Sequence, residues 1–202
     1  KLKNYRGEMC MKIYIVNGTP LSGKTTFCNM VIKIVGEDKG RNFSTIDKIK
    51  EIARDFGWDG EKTPKARKFL SDLKDAFTDW NDLPVRDVKS RLASFEEDLS
   101  RTNNEEGAVV FIMVREPDEI RRLCKELGAQ SLLVRRRSSE LAEASNHADK
   151  NVLNLKYDLV INNEGSLEDL AYTALEFVEK EELFFPHWKT IKIDKNGRIY
   201  YT

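Results

Sequence analysis

Residues 18–25, which read GTPLSGKT, fit the phosphate-loop pattern G-x-x-x-x-G-K-[ST]. The glycines of such a loop let the backbone curl until its N–H groups point at phosphate oxygens. The helix that follows adds the positive end of its dipole. Lys24 would bring a positive charge to the β- and γ-phosphates, and the Thr25 hydroxyl could bind Mg²⁺. The pattern therefore predicts a site for a nucleotide and its metal ion.

The surroundings of this loop favour nucleotide binding over the alternative, a glycine-rich turn that fits the pattern by chance. An apolar strand, Lys12–Val16, precedes it, and a helix over residues 24–35 follows it. The loop itself does not choose between a kinase, a GTPase and an ATPase. A GTPase would carry Asn-Lys-x-Asp, and the nearest stretch, NLKYD at residues 154–158, has the wrong spacing. The predicted nucleotide contacts are Gly18, Thr19, Pro20, Ser22, Gly23, Lys24, Thr25 and Thr26, with Thr25 as the metal ligand.

Arginines follow two predicted strands, at the edge where doubly wound sheets bind ligands. Arg115 comes directly after the apolar run Val109–Val114, and Arg135-Arg136-Arg137 follow the strand Ser131–Val134. A kinase needs converging cations there, because negative charge spreads over the transferred phosphoryl group. We expect Arg115 and one or two of the three later arginines to contact phosphate. The alternative for Arg115 is an ordinary surface arginine.

Two further candidates lie between the first strand and the apolar run. Arg67 and Lys68 open a helix that Thr63-Pro64 begins, with the threonine as N-cap and proline at the first helical position. They bind a phosphorylated acceptor or form a solvated face. Asp47 follows the short strand Phe43–Ile46, so it either orients the acceptor or a metal-bound water, or caps the next helix. The residues leave both pairs of alternatives open.

The elements that position these residues alternate between strand and helix, which argues for a parallel sheet with crossover helices. The helix from Pro64 to Trp80 is predicted to turn Phe69, Leu70 and Leu73 inward. The segment from Arg135 to Asn154 is charged and weakly periodic, which predicts a mobile lid. The remaining predicted elements are helices over 48–56, 85–99, 117–127 and 166–182 and a strand over 157–162.

The C-terminal residues differ from this pattern. Asn196-Gly197 between two alternating stretches predicts a two-residue hairpin loop. That pairing would place Ile191, Ile193 and Tyr200 on one face. We expect the hairpin to cover an edge of the domain rather than to form a site.

The composition excludes several classes of protein. The 202 residues carry 34 Lys and Arg against 34 Asp and Glu, so the chain lacks the positive field that non-specific binding to nucleic acid favours. No apolar run is long enough to span a membrane, and no signal-peptide pattern is visible. Three scattered cysteines and two histidines suit a reduced compartment without a disulfide framework or zinc site. We expect a cytoplasmic protein.

Several segments together resemble the phage-type deoxynucleoside monophosphate kinases and the related phosphomevalonate and adenylate kinases. Residues 110–129, VFIMVREPDEIRRLCKELGA, are similar to the family's strand, D-T-R turn and helix. Residues 131–136 and 146–149 resemble its arginine strand and its histidine-bearing lid. Residues 157–170 are similar to its last strand and helix, and Arg67-Lys68 to its paired basic residues. With the phosphate loop, the resemblance covers most of residues 12–180.

The resemblance implies roles for residues that match the family pattern. Lys24 and Thr25 would handle ATP and Mg²⁺, Arg67 and Arg115 the acceptor, and Arg135 or Arg136 the transferred phosphoryl group. His147 would contact the acceptor or hold the lid. Two positions depart from the pattern: Met113 stands where the family has an aspartate, and Lys74-Asp75 replaces a glycine-aspartate pair.

We therefore predict a three-layer α/β P-loop kinase fold with a helical substrate lobe, a mobile lid and a C-terminal β-hairpin. Residues 1–185 would form the kinase domain, with the lobe at about 57–105 and the lid at about 135–154, and residues 186–202 the hairpin. The predicted catalytic residues are Lys24, Arg115, Arg135, Arg136 and Asp47, and the predicted acceptor-binding residues are Arg67, Lys68, Arg115, Asp47 and His147.

Three functions remain open from the sequence. The first is transfer of the γ-phosphate of ATP to a nucleoside or deoxynucleoside monophosphate by a monomer or homodimer. The second is the same chemistry on another small phosphorylated acceptor, such as phosphomevalonate or dephospho-coenzyme A. The third is a nucleotide-binding regulatory module with little catalysis.

Overall fold

The computed structural model describes residues 11–101, 107–140, 152–183 and 190–201. The strands are β1 (Met11–Asn17), β2 (Gly40–Ser44), β3 (Ala108–Met113), β4 (Gln130–Arg135), β5 (Leu159–Asn162), β6 (Ile191–Ile193) and β7 (Ile199–Tyr201). The helices are α1 (Lys24–Val35), α2 (Asp47–Asp55), α3 (Pro64–Asn81), α4 (Leu83–Arg101), α5 (Pro117–Leu127), α6 (Arg137–Glu140) and α7 (Leu167–Lys180), with a 3₁₀ turn at Val152–Asn154.

The central sheet has five strands in the order β2-β3-β1-β4-β5. The strand β1 pairs in parallel with β3 on one side and β4 on the other, and β4 pairs in parallel with β5. Chain order is broken on both sides of β1, so the phosphate loop that leaves β1 emerges between two strands that arrive later in the chain.

The chain divides into two compact units, of which the first comprises Lys1–Asn42 and Asn104–Thr202. Its core is layered: Tyr14 and Phe111 of the sheet pack with Phe27 of α1 and Phe177 of α7. The opposite face of the sheet receives α5, whose Ile120 and Leu123 are buried. The α/β architecture predicted from the sequence, with helices on both faces of a parallel sheet and a C-terminal hairpin, is confirmed.

The second unit, Phe43–Asn103, is built on α2, α3 and α4. Arg91 of α4 links two of these helices, because its guanidinium donates 2.6 Å to Glu51 of α2 and 2.7 Å to Asp87 of its own helix. The inward orientation predicted for α3 holds only in part, because Leu70 and Leu73 are half-buried whereas Phe69 is exposed. None of its residues is buried, and Phe69 is 42% exposed.

Several helix ends follow from residues that the sequence singled out. The Thr63 hydroxyl accepts a hydrogen bond from the Ala66 amide, with Pro64 next in the chain, as expected of an N-cap. The helix α5 ends at Gly128, which adopts the left-handed conformation with φ 61°. Ser166 and Asp169 form a reciprocal capping box at the start of α7.

The hairpin forms at the predicted place in a different register. Ile193 pairs with Ile199 and Ile191 with Tyr201, so Tyr200 lies on the opposite face from the two isoleucines. The reason is the loop: Gly197 donates to the Asp194 carbonyl and Asp194 to the Arg198 carbonyl, which closes a three-residue loop with Gly197 at φ 71°. One extra loop residue exchanges the two faces of the second strand.

The C-terminal hairpin packs against the core of the first unit. Ile199 of the hairpin is 2% exposed and belongs to the core, and the Tyr201 hydroxyl donates 2.8 Å to the Ile34 carbonyl of α1.

Cys28 of α1 is fully buried, and burial raises the pKa of its thiol well above the ordinary range. In the part of the chain that the structure describes, no helix is long and apolar enough to cross a membrane.

Candidate functional site

The phosphate loop runs from Gly18 to Gly23 between the buried end of β1 and the first residue of α1. Gly23 precedes the helix in the left-handed conformation, with φ 91° and ψ 12°. A Cβ added to Gly18 would lie 2.1 Å from the Val134 carbonyl oxygen, and one added to Gly23 would lie 2.4 Å from the Asn163 amide nitrogen. Only glycine fits at these two positions, so the curled path depends on both.

Lys24 folds back over this loop. Its ammonium donates to the carbonyl oxygens of Gly18 at 2.6 Å and Thr19 at 2.7 Å. The charge therefore lies on the loop itself, where the pattern predicts that it meets phosphate oxygens. Thr25 and Thr26 are exposed in the first turn of α1.

The Ser22 hydroxyl is a buried polar group of the phosphate loop that lacks a hydrogen-bond partner among the described residues. Ser22 is completely buried, and its Oγ has no hydrogen-bond partner among the described residues. A buried hydroxyl without a partner costs about 1–3 kcal/mol, which a ligand oxygen could recover. An oxygen of a bound phosphate could supply the missing partner, so the loop fits a phosphate group.

Asn163, which follows β5, is hydrogen-bonded to the phosphate loop through its side chain. Its side-chain amide donates 2.9 Å to the Ser22 carbonyl, and its backbone amide donates 2.9 Å to the Arg135 carbonyl of β4. The side chain is 5% exposed. One residue thus joins the last strand of the sheet, the arginine-bearing strand and the phosphate loop.

A second buried contact chain begins at Asn17, the last residue of β1. Its Oδ1 accepts 2.8 Å from the Gly18 amide, and its Nδ2 donates 2.8 Å to the Tyr157 hydroxyl. That hydroxyl donates 2.9 Å to the Val152 carbonyl in the 3₁₀ turn. Burial raises the pKa of Tyr157, so its proton stays available for this donation. These hydrogen bonds connect the first amide of the phosphate loop to the C-terminal end of the predicted lid, at Val152.

Arg115 lies next to the start of the loop, as its position after β3 predicts. Val114 donates 3.0 Å to the Val16 carbonyl, and the Arg115 carbonyl accepts 3.4 Å from the Asn17 side chain. The Arg115 side chain is exposed. The structure therefore brings this arginine to the same sheet edge as Lys24.

Arg135 ends β4 on the other side of the loop. Its Nε and Nη2 each donate 2.8 Å to a different carboxylate oxygen of Glu140, a paired geometry that fixes the guanidinium plane. The hydrogen bonds raise the pKa of Arg135 and lower that of Glu140. The Arg136 side chain is half-buried and has no ion-pair partner in the residues that the structure describes.

The short helix α6 touches the loop directly. The Ser139 hydroxyl lies 2.7 Å from the Thr19 hydroxyl and also contacts the Arg136 carbonyl at 2.7 Å. Residues 135–140 are thus an ordered strand end and helix turn, where the sequence predicts the start of a mobile lid. Most of the rest of that predicted lid, including His147, falls in residues 141–151, outside the described part of the chain, and its last three residues form the 3₁₀ turn Val152–Asn154.

The other candidates lie in the second unit. Lys68 pairs with Asp72 at 2.6 Å on an exposed face of α3, and the Arg67 side chain is also exposed. Asp47 is the first residue of α2, and its carboxylate accepts 2.8 Å from the Ser44 amide. The capping alternative was misplaced by one residue, because Ile46 occupies the N-cap. The acceptor roles of these three residues remain predictions.

Metal ligands are sparse. In the described ranges no group of three or more His, Cys, Asp or Glu side chains could hold a metal ion. Met113 occupies the end of β3 opposite Val16 and packs against the hydrophobic core, at the position where the resemblance implies a carboxylate.

Sequence reasoning missed the residues that support the site: Asn17, Ser139, Glu140, Tyr157 and Asn163. One signal was visible for two of them. Asn17 and Asn163 each follow an apolar strand at the sheet edge where the arginines were sought, and amides that end buried strands must find partners. No such signal marks Tyr157, whose hydroxyl meets a residue 140 positions away in the chain.

Comparison with known proteins adds a distant likeness. No protein-family model matches this sequence, and the search of curated proteins finds no match. Among solved structures, the chain is similar to the crystal structure of shikimate kinase from Aquifex aeolicus, with a TM-score of 0.40 and 13% sequence identity over 86% of this chain and 99% of that chain. A likeness at this level assigns neither substrate nor activity to the present chain.

Proposed function

We propose that the protein transfers the γ-phosphate of ATP to a nucleoside or deoxynucleoside monophosphate. The observation that carries this proposal is the arrangement around Lys24: a glycine-built phosphate loop with Arg115 after one neighbouring strand and Arg135 after the other. A triphosphate on the loop and a second anion in front of it would meet cations from both sides. A simple ATP-binding module would not need that pair.

The chemistry is an in-line exchange of bonds at phosphorus. An oxygen of the acceptor phosphate forms a bond to the γ-phosphorus while the bond to the β–γ bridging oxygen breaks, so ADP leaves with the electron pair. Lys24 and Arg135 stabilise the charge on the transferred group, and Arg115 binds the acceptor phosphate. Thr25 would hold Mg²⁺, which neutralises the β- and γ-phosphates when bound.

The direct test is turnover. The full chain is incubated with Mg-ATP and each ribo- and deoxynucleoside monophosphate in turn, and ADP and the diphosphate product are separated by chromatography. We expect stoichiometric ADP and diphosphate with at least one acceptor. The absence of product with every nucleotide contradicts the proposal in this form.

Two variants separate the roles of the cations. Lys24→Ala should abolish turnover and weaken ATP binding, since the ammonium lies on the loop and would carry the positive charge that the phosphates need. Arg115→Ala should lower kcat/KM for the acceptor by at least about 100-fold while calorimetry shows nearly unchanged ATP affinity. Arg121→Ala, an exposed arginine of α5 paired with Asp118, is the matched control. A change within about twofold for Arg115→Ala would remove this residue from the acceptor site.

One observation favours a second candidate, a kinase for another small phosphorylated metabolite. Met113 stands where the resemblance implies a carboxylate, and its side chain packs against the hydrophobic core, so this position offers no charge to an acceptor or its metal ion. Phosphomevalonate and dephospho-coenzyme A therefore belong in the acceptor panel. ATP binding with turnover no faster than in buffer, for every acceptor, would instead select the regulatory module.

A further inference from the structure

We infer that Glu140 is a positioning residue that holds the Arg135 guanidinium beside the phosphate loop. The inference rests on the proposed function in one respect, that Arg135 is taken to meet the transferred phosphoryl group. Glu140 itself touches no substrate in this scheme.

The ion pair between Glu140 and Arg135 fixes the orientation of the guanidinium. Two parallel hydrogen bonds of 2.8 Å join Arg135 to both carboxylate oxygens of Glu140. The Glu140 side chain is 12% exposed and the Arg135 side chain 37%, so the carboxylate is more shielded from solvent than the guanidinium that it binds. A guanidinium has five N–H donors, of which two are used here, and three remain for a ligand.

Glu140 is itself held by the chain around it. Its amide donates 3.1 Å to the Arg136 carbonyl, and the neighbouring Ser139 hydroxyl lies 2.7 Å from Thr19 in the phosphate loop. The Arg137 amide at the start of α6 donates 3.0 Å to the Glu164 carboxylate after β5. The short helix that carries Glu140 is thus hydrogen-bonded to the phosphate loop through the neighbouring Ser139.

The ion pair between Glu140 and Arg135 would assist phosphoryl transfer by orienting the arginine before the reaction begins. An arginine contributes most when its donors already point to where charge develops, because no reorganisation is then needed during the reaction. A free arginine at a strand end samples many rotamers, and a misplacement of about 1 Å can cost about 100-fold in rate. Glu140 removes that freedom by fixing one edge of the guanidinium.

The first measurement does not depend on catalysis. The Arg135 Nε–H signal is followed by ¹⁵N NMR in the free protein, with Glu140→Gln compared to wild type. We expect a signal protected from exchange with water in wild type and loss of that protection in the variant. Glu97→Gln, which breaks the exposed 2.6 Å pair with Arg101 on α4, should leave it unchanged. An unprotected signal in wild type, or one that survives in Glu140→Gln, overturns the inference.

The second measurement uses turnover of the best acceptor. Glu140→Gln should lower kcat about 10- to 100-fold with the KM for ATP changed by less than about threefold, and Glu140→Asp should recover part of the loss. In an Arg135→Ala background, Glu140→Gln should cost less than about twofold more, because the residue acts through Arg135. An equal loss in both backgrounds would show that Glu140 acts by another route and would overturn the inference.

The two measurements separate this inference from the proposed function. If no acceptor is turned over, the proposed function fails, and the NMR signal alone decides whether Glu140 orients Arg135. If turnover is found and Glu140→Gln matches wild type in kcat, the proposed function stands and the positioning role is overturned.

Discussion

Gly18 and Gly23 fix the path of the phosphate loop, because neighbouring atoms leave no room for a side chain at either position. Each has a positive φ, and each would place a Cβ within 2.4 Å of a polar atom, the Val134 carbonyl oxygen for Gly18 and the Asn163 amide nitrogen for Gly23. The positions therefore combine two constraints, a backbone conformation and a close approach. The sequence pattern names both glycines but does not distinguish these two reasons for them.

A pair of glycine variants separates the two constraints. Gly23 and Gly57 have nearly the same φ, 91° and 93°, but nothing lies within 4 Å of a Cβ added to Gly57. Gly57→Ala should lower the free energy of unfolding by about 1 kcal/mol from backbone strain. Gly23→Ala should cost about 1–3 kcal/mol more, because Asn163 must move, and should weaken ATP binding. Urea unfolding and calorimetry measure both effects, and equal losses of stability would mean that the contact with Asn163 is unimportant.

At the scale of elements, the C-terminal hairpin shows how one loop residue decides which side chains enter the core. The turn chemistry was visible in the sequence, because Asn196-Gly197 favours a hairpin. The choice between a two-residue and a three-residue loop was not, since the Asp194 carboxylate favours the longer one by accepting from the Asn196 and Arg198 amides.

The register has a direct consequence for stability. Ile199 is 2% exposed and Tyr200 is 45% exposed. Ile199→Ala should lower the free energy of unfolding by about 2–5 kcal/mol, and Tyr200→Ala by less than about 1 kcal/mol. Chemical denaturation of the two variants measures the difference. The two-residue register would reverse the order of these losses.

Most helices and strands could be predicted because their signals are local. The N-cap at Thr63, the C-cap at Gly128 and the loop after β1 depend on residues a few positions apart. The orientation of α3 could not be predicted in this way, because its apolar spacing does not reveal how much of that face its neighbours cover. The acidic partner of Arg135 was also missed, although only five residues separate the pair, because the charged segment lacks a periodic pattern.

For the whole molecule, nucleotide binding and stability are linked. ATP at 100 times its Kd should stabilise the folded state by about 2.7 kcal/mol. In a protein of 202 residues this corresponds to a rise in Tm of about 5–10 °C. If the two compact units unfold separately, only the transition that contains the phosphate loop should move.

Calorimetric scans with and without Mg-ATP measure this rise. Lys24→Ala should keep a folded protein and lose most of the response, while Glu97→Gln on α4 should respond as wild type does. A Tm that ATP does not change in the wild-type protein contradicts nucleotide binding, whatever the acceptor.

Contacts across the whole chain explain the limit of sequence reasoning about the site. Asn163 meets Ser22 across 141 positions, and Tyr157 meets Asn17 across 140. Their side chains are ordinary polar residues in the sequence and gain a role only when the sheet brings β1, β4 and β5 together. The cations could be predicted because charge chemistry demands them, whereas the amides and hydroxyls that fix the loop depend on the fold.

The complete burial of Cys28, one turn into the helix that follows the phosphate loop, makes this thiol an internal probe of breathing motions. A chain with Cys10 and Cys124 replaced by serine would retain this single reactive sulfur, and a disulfide reagent could reach it only when α1 separates from the core. The labelling rate would then report how often the loop's own helix opens. ATP at 100 times its Kd should slow that rate about 100-fold, because the ligand lowers the equilibrium constant for opening by that factor.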